Sequence, residues 1–120
     1  MLSLLVDDDR SIRQYIAMVL QREDFQTIEA GDGVQGLQIV EELGDAVDLI
    51  ITDIQMPNCD GVTFAQAVTK AYPDISIILV SGRGEPIEHF DGFVEKPFQA
   101  RELADTVRNA MTHKAEYVLG

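Results

Sequence analysis

The chain has 120 residues, 46% of them hydrophobic, which suits one compact domain built on a single core. Its 21 acidic residues against 9 basic ones give a net charge of −12, which disfavours direct contact with nucleic acid or an anionic membrane and means that any phosphate chemistry here needs a cation. The lone cysteine, Cys59, excludes an internal disulfide, and the apolar N-terminal run is far shorter than the ~20 residues a membrane span requires, so a reducing cytoplasm is the expected compartment.

In chain order, the first apolar run is Leu2–Val6, a buried strand that ends in Asp7, Asp8 and Asp9. Ile12, Tyr15, Ile16, Val19 and Leu20 then repeat at helical spacing and place one stripe of a helix over residues 10–23 against a core. Asp9 stands where that helix begins and reads as its N-cap. A weaker strand candidate covers residues 25–30, followed by a helix that starts near Asp32 and carries Leu37 and Val40. Residues 47–52 form the next apolar run and end at Asp53; a helix starting near Asp60 follows, with Phe64, Val68 and Ala71 on one face. The run 75–80 ends at Ser81, and a short run at 93–94 ends in Glu95, Lys96 and Pro97. A last helix after Pro97 carries Leu103, Val107 and Met111, and residues 114–120 read as a loose tail behind a domain of residues 1–113.

Strands alternating with helices, with little polar alternation inside the strands, predict a doubly wound α/β domain whose parallel sheet is covered on both faces. In such a sheet the ligand sits beyond the carboxyl ends of the strands. Asp7, Asp8 and Asp9, then Asp53, then Ser81, then Lys96 all fall there, so acids, a hydroxyl and an ammonium converge on one edge. Crowded carboxylates resist ionising together unless a cation joins them. Magnesium suits the set, because it prefers oxygen ligands and keeps several waters.

Four segments carry a resemblance: Leu4-Leu5-Val6-Asp7-Asp8-Asp9, the stretch from Leu49 through Thr52-Asp53-Ile54-Gln55-Met56-Pro57 to Asp60-Gly61, Ile78-Leu79-Val80-Ser81-Gly82, and Val94-Glu95-Lys96-Pro97-Phe98. Together they resemble the motifs of the response-regulator receiver family, in family order and at four strand ends. The resemblance implies a flavodoxin-like strand order 2-1-3-4-5 and a two-component phosphorelay role. Asp53 would accept a phosphoryl group from a histidine kinase or a histidine phosphotransfer protein. Magnesium, or manganese in its place, would be held by Asp8, Asp53 and the carbonyl of Gln55, with Asp7 acting mainly through a coordinated water. Lys96 and Ser81 would bind phosphoryl oxygens, Ser81 and Phe93 would form the switch, and the Lys96–Pro97 peptide would be cis. Gln55 and Arg83 would flank the path of the hydrolysing water and tune the phosphate lifetime. On this reading the chain is a signalling domain that mediates its own phosphorylation and dephosphorylation and is no other enzyme.

Two alternatives use the same residues. A haloacid-dehalogenase-type phosphatase would employ Asp7 as nucleophile with Asp9, Ser81 and Lys96, but it leaves Asp53 unexplained and needs a further acidic strand end after the lysine. A pure interaction module would keep the fold without taking phosphate. Cys59, with nothing cationic beside it, reads as inert. One departure from the family stands out: only residues 82–92 separate Ser81 from Phe93, and Gly82, Gly84, Pro86 and Gly92 are poor helix formers. The segment predicts a short or absent fourth helix, a loop over residues 83–88, and a monomer, because many relatives dimerise through that helix. The cognate kinase, the downstream target, and whether the domain stands alone or belongs to a longer protein are left open by the sequence.

Overall fold

The computed structural model describes residues 1–82, 84 and 90–119, with side chains as far as residue 112. Its elements are β1 (Leu2–Val6), α1 (Arg10–Arg22), β2 (Gln26–Ala30), α2 (Gly33–Leu43), a 3-10 turn (Gly44–Ala46), β3 (Leu49–Asp53), α3 (Gly61–Ala71), β4 (Ser76–Ser81), β5 (Gly92–Glu95) and α4 (Ala100–Leu119). The five strands form one parallel sheet in the order β2-β1-β3-β4-β5. The fold is therefore the doubly wound one that the alternating pattern predicts, with the flavodoxin-like strand order that the resemblance implies.

Alternation along each strand sends successive side chains to opposite faces. Leu5, Leu49, Ile51, Ile78, Val80 and Val94 pack under α1 and α4 with Ile16, Leu20, Leu103 and Val107. Leu4, Val6, Ile50, Ile77 and Leu79 pack on the other face with Val40 of α2 and Phe64 and Val68 of α3. Phe90 and Phe93 sit half-buried at the edge of this second layer. The central strands are buried on both faces, which is why they read as continuous apolar runs.

Aspartates begin three helices. Asp9 accepts from Ser11 N and Ile12 N, Asp32 from Gln35 N, and Asp60 from Thr63 N, each satisfying a backbone donor that the first turn leaves free. These three helices follow the strand ends at Val6, Ala30 and Asp53.

Three elements differ most from expectation, the other boundaries shifting by a single residue. β3 begins at Leu49, because the 3-10 turn holds Gly44–Ala46 and Val47 follows as its cap. β5 extends to Gly92–Glu95, pinned at its start by Asp91, whose N donates to Ile77 O (2.8 Å) and whose Oδ2 accepts from Ile77 N (2.7 Å). The last helix continues to Leu119, past the point where a tail was expected from residue 114. Among the described residues no helix lies between β4 and β5; the expected loop at 83–88 falls chiefly on Arg83 and residues 85–88, outside the described residues.

Candidate functional site

Asp7 follows β1, Asp53 ends β3, Ser81 ends β4 and Lys96 follows β5, so parallel pairing alone assembles these four positions at one edge. Asp7 and Asp53 are almost wholly buried, at 2% and 6% exposure. Lys96 Nζ reaches both, 3.1 Å from Asp7 Oδ2 and 3.3 Å from Asp53 Oδ2. Asp8 stands beside them, exposed, and one carboxylate oxygen from each of Asp7, Asp8 and Asp53 lies within 4.8 Å of the other two.

The electrostatics follow from that crowding. Burial raises the pKa of Asp7 above the usual aspartate value, and Asp53 pushes the same way; the Asp9 backbone N–H and Lys96 oppose the shift without cancelling it. For Lys96 burial is the largest single influence and pulls the pKa down, yet Asp7 and Asp53 together outweigh it and leave the ammonium more basic than usual. Among the described residues one ammonium stands against three carboxylates, which leaves the cluster short of positive charge. A hard divalent cation with oxygen ligands answers that deficit, and the donor set of Asp7, Asp8 and Asp53 fits magnesium.

Backbone contacts fix the acids. Asp7 N donates to Ala30 O (3.2 Å), Asp7 Oδ1 accepts from Asp9 N (2.8 Å), and Arg13 Nη1 donates to the Asp7 carbonyl. Gln55 N donates to Asp53 Oδ1 (3.3 Å), while Thr52 Oγ1, fully buried, donates to the Asp53 carbonyl (3.0 Å). Gly61 closes the loop over the same carbonyl: a Cβ built there would lie 2.0 Å from Asp53 O, so only glycine fits. Gly61 N also donates to Ile54 O (2.8 Å). Asn58 makes the turn inside this loop with a φ of 72°, a conformation asparagine tolerates better than most residues.

Lys96 is held from behind. Its N donates to Ser81 O (2.7 Å), and the Lys96–Pro97 peptide is cis. Phe98 then turns back onto Tyr15 of α1, ring centroids 5.7 Å apart. Ser11, Ile12, Tyr15, Lys96, Pro97 and Phe98 line an open groove of about 400 Å³ that runs from the acidic edge along α1.

The sequence-derived residues fall into three groups. Asp7, Asp8, Asp53 and Lys96 meet directly. Ser81 is buried at the neighbouring strand end, and Phe93, in register with Leu79, lies on the same sheet face two positions before it. Gln55 is exposed beside the site and touches it through its backbone, while Arg83 lies outside the described residues. Asp9 stays out of the cluster, its carboxylate spent on capping α1, which removes the second aspartate a dehalogenase-type phosphatase would need. Cys59 is half-buried, and burial first, then the charges of Asp60 and Asp32, raises its thiol pKa, so it has no reactive thiolate character. Arg13 and the steric role of Gly61 were not foreseen. Arg13 carries no signal in the sequence beyond its place on the polar face of a helix, whereas Gly61 lies in the segment from Leu49 to Gly61.

Comparison with known proteins agrees with this geometry. Residues 3–108 match the family model described as the response regulator receiver domain. The chain is 38% identical over 115 residues to the sensor kinase CckA of Brucella abortus, covering 90% of this chain and 12% of the relative. It is 31% identical over 112 residues to the transcriptional regulatory protein CpxR of Escherichia coli K12, covering 88% of this chain and 47% of the relative. It therefore spans less than half the length of either protein. Among solved structures, a response regulator receiver domain protein from Clostridium thermocellum superposes with a TM-score of 0.87 at 26% identity, covering 97% of this chain and 98% of that one. The chain belongs to the response regulator receiver domain family.

Proposed function

We propose that this domain accepts a phosphoryl group on Asp53 from a phosphohistidine of a sensor kinase or histidine phosphotransfer protein, in a magnesium-dependent reaction in the cytoplasm. The observation that carries the reading is the placement of Lys96 Nζ 3.3 Å from Asp53 Oδ2, beside Asp7 and Asp8. A buried carboxylate at a strand end, with an ammonium against it and two further acids beside it that would hold a cation, is arranged for attack on a phosphorus whose oxygens that ammonium and cation would neutralise.

In this reading an Asp53 oxygen forms the new O–P bond as the P–N bond to the donor imidazole breaks. Lys96 exchanges its contact with Asp53 for a phosphoryl oxygen, and Ser81 donates to another. Asp7, Asp8, Asp53 and the Gln55 carbonyl would hold the magnesium ion, which supplies positive charge where negative charge builds on the transferred group. The groove of about 400 Å³ between α1 and Pro97–Phe98 gives the donor's helix an apolar seat that ends at Lys96. The new phosphate adds roughly 1.5 to 2 negative charges, and movement of Ser81 toward it would open room for Phe93, half-buried on the same face, to change rotamer. Gln55 and Arg83 remain the proposed determinants of phosphate lifetime, and a monomer the proposed state.

Incubation with acetyl phosphate, with magnesium and with chelator, followed by intact-protein mass spectrometry, tests the reading. One added phosphate that requires the metal is expected. No addition, or addition indifferent to chelator, contradicts it.

A further inference from the structure

Asp8 is the exposed member of the carboxylate trio, and among the described residues no hydrogen bond or ion pair holds its side chain. With no such partner to select its rotamer, the place from which that carboxylate can reach is set by the backbone that carries its Cβ. Three contacts fix the preceding residue: Asp7 N on Ala30 O, Asp9 N on Asp7 Oδ1, and Lys96 Nζ on Asp7 Oδ2. The second of them closes a turn that contains the peptide joining Asp7 to Asp8, and so fixes that peptide from the side-chain end. The oxygen of that same peptide, the Asp7 carbonyl, accepts from Arg13 Nη1, a hold from a different element.

Arg13 is itself anchored. Its Nε donates to Glu29 Oε1 at 3.0 Å, and its side chain is 17% exposed against 40% for Glu29. Glu29 lies on β2, in register with Leu5 of β1, so one guanidinium joins α1, the end of β1 and the edge strand. The planar fork of arginine serves both partners at once; a lysine ammonium lacks that fixed two-ended geometry.

We infer that Arg13, braced by Glu29, is a positioning residue for divalent-ion binding: it holds the Asp7–Asp8 peptide so that the Asp8 carboxylate faces the place where Asp7 and Asp53 converge. The inference rests on the proposed metal-assisted reading, and it makes a prediction opposite in sign to simple electrostatics. A cation close to a metal site repels the metal, so on charge alone Arg13→Ala should tighten binding. If Arg13 positions Asp8, the same change must weaken it.

The test is Mn2+ binding to the full chain without phosphodonor, followed by electron paramagnetic resonance of the free ion, with melting in chelator as the control for folding. Arg13→Ala should bind about ten-fold more weakly than wild type, in the range for residues that orient metal ligands. Glu29→Gln, which leaves Arg13 in place, should weaken binding less, and should add nothing in an Arg13→Ala background. Binding by Arg13→Ala as tight as wild type or tighter overturns the inference and leaves the receiver reading standing. Wild-type affinity in Glu29→Gln rejects the brace. A wild-type protein that binds no Mn2+ overturns both the inference and the reading beneath it.

Discussion

The ammonium of Lys96 lies 3.3 Å from Oδ2 of Asp53, reaching across the end of β4 from the loop after β5. The same Nζ contacts Asp7 at 3.1 Å, so a single cation compensates two buried acids. Removing it in Lys96→Ala takes away the charged partner that both acids have among the described residues and should destabilise the metal-free protein by about 1–3 kcal/mol. The sign of the pH dependence follows from Asp7, whose pKa is raised in the fold chiefly by burial. The folded state then binds that proton more tightly than the unfolded chain, so the contribution of Asp7 to stability is fullest at low pH and declines as pH rises through the raised value. Without Lys96 the decline should be steeper. Urea melts of both proteins in chelator, at several pH values, give the comparison, and parallel curves would contradict the argument.

Asp8→Ala should act in two directions. Magnesium binding weakens, because the ion loses one of the fixed carboxylates it needs in place of water. In chelator the variant should melt above wild type, since one of three crowded negative charges is gone. Equal melting temperatures in chelator would show that the acids do not repel at this separation.

Gly61→Ala brings a methyl group into the Asp53 carbonyl, 2.0 Å from its oxygen without relaxation. The loop must shift, at about 1–3 kcal/mol, and Asp53 shifts with it. Denaturant titration should show the lost stability, and phosphate uptake should slow beyond what the fraction unfolded explains. An alanine variant with wild-type stability would mean that the loop is free to move.

Asp60 caps α3 through Thr63 N at 2.9 Å, and that hydrogen bond is the main cause of its lowered pKa. Asp60→Ala should lose about 1 kcal/mol at neutral pH. A carboxyl whose folded pKa lies below its unfolded value gives stability above the unfolded value, ~3.9, and loses it as pH falls through the folded one. The gap between wild type and Asp60→Ala should therefore narrow in acid. Melting both proteins from neutral pH to pH ~3 checks this, and a constant gap would remove the charge from the cap's role.

The sequence revealed the site well because it is built from strand ends. Asp7, Asp53, Ser81 and Lys96 each follow an apolar run, and once the runs are read as parallel strands their convergence is forced. Asp9, Asp32 and Asp60 were legible as caps for a similar local reason. What escaped were interactions that depend on distance across the fold. The ion pair of Arg13 with Glu29 joins residues 16 apart, and nothing in either neighbourhood announces the other. The start of β5 was short by one residue because Asp91, a strand-poor type, sets it through a side-chain bond to Ile77 N. The end of the last helix is hard to read because the polar run Thr112-His113-Lys114 interrupts its apolar stripe, while the helical backbone continues to Leu119.

The most direct test of the account is to trap the acyl phosphate. Wild-type protein is incubated with acetyl phosphate and magnesium, reduced with borohydride to convert the phosphorylated aspartate to homoserine, and digested for peptide mass spectrometry, with Asp53→Asn alongside. Homoserine at position 53 in wild type, and at no position in the variant, is the predicted result, because an amide of nearly the same shape is a poor nucleophile. Homoserine at Asp7, Asp8 or Asp9 in place of Asp53, or its undiminished formation in Asp53→Asn, would contradict the assignment of the acceptor.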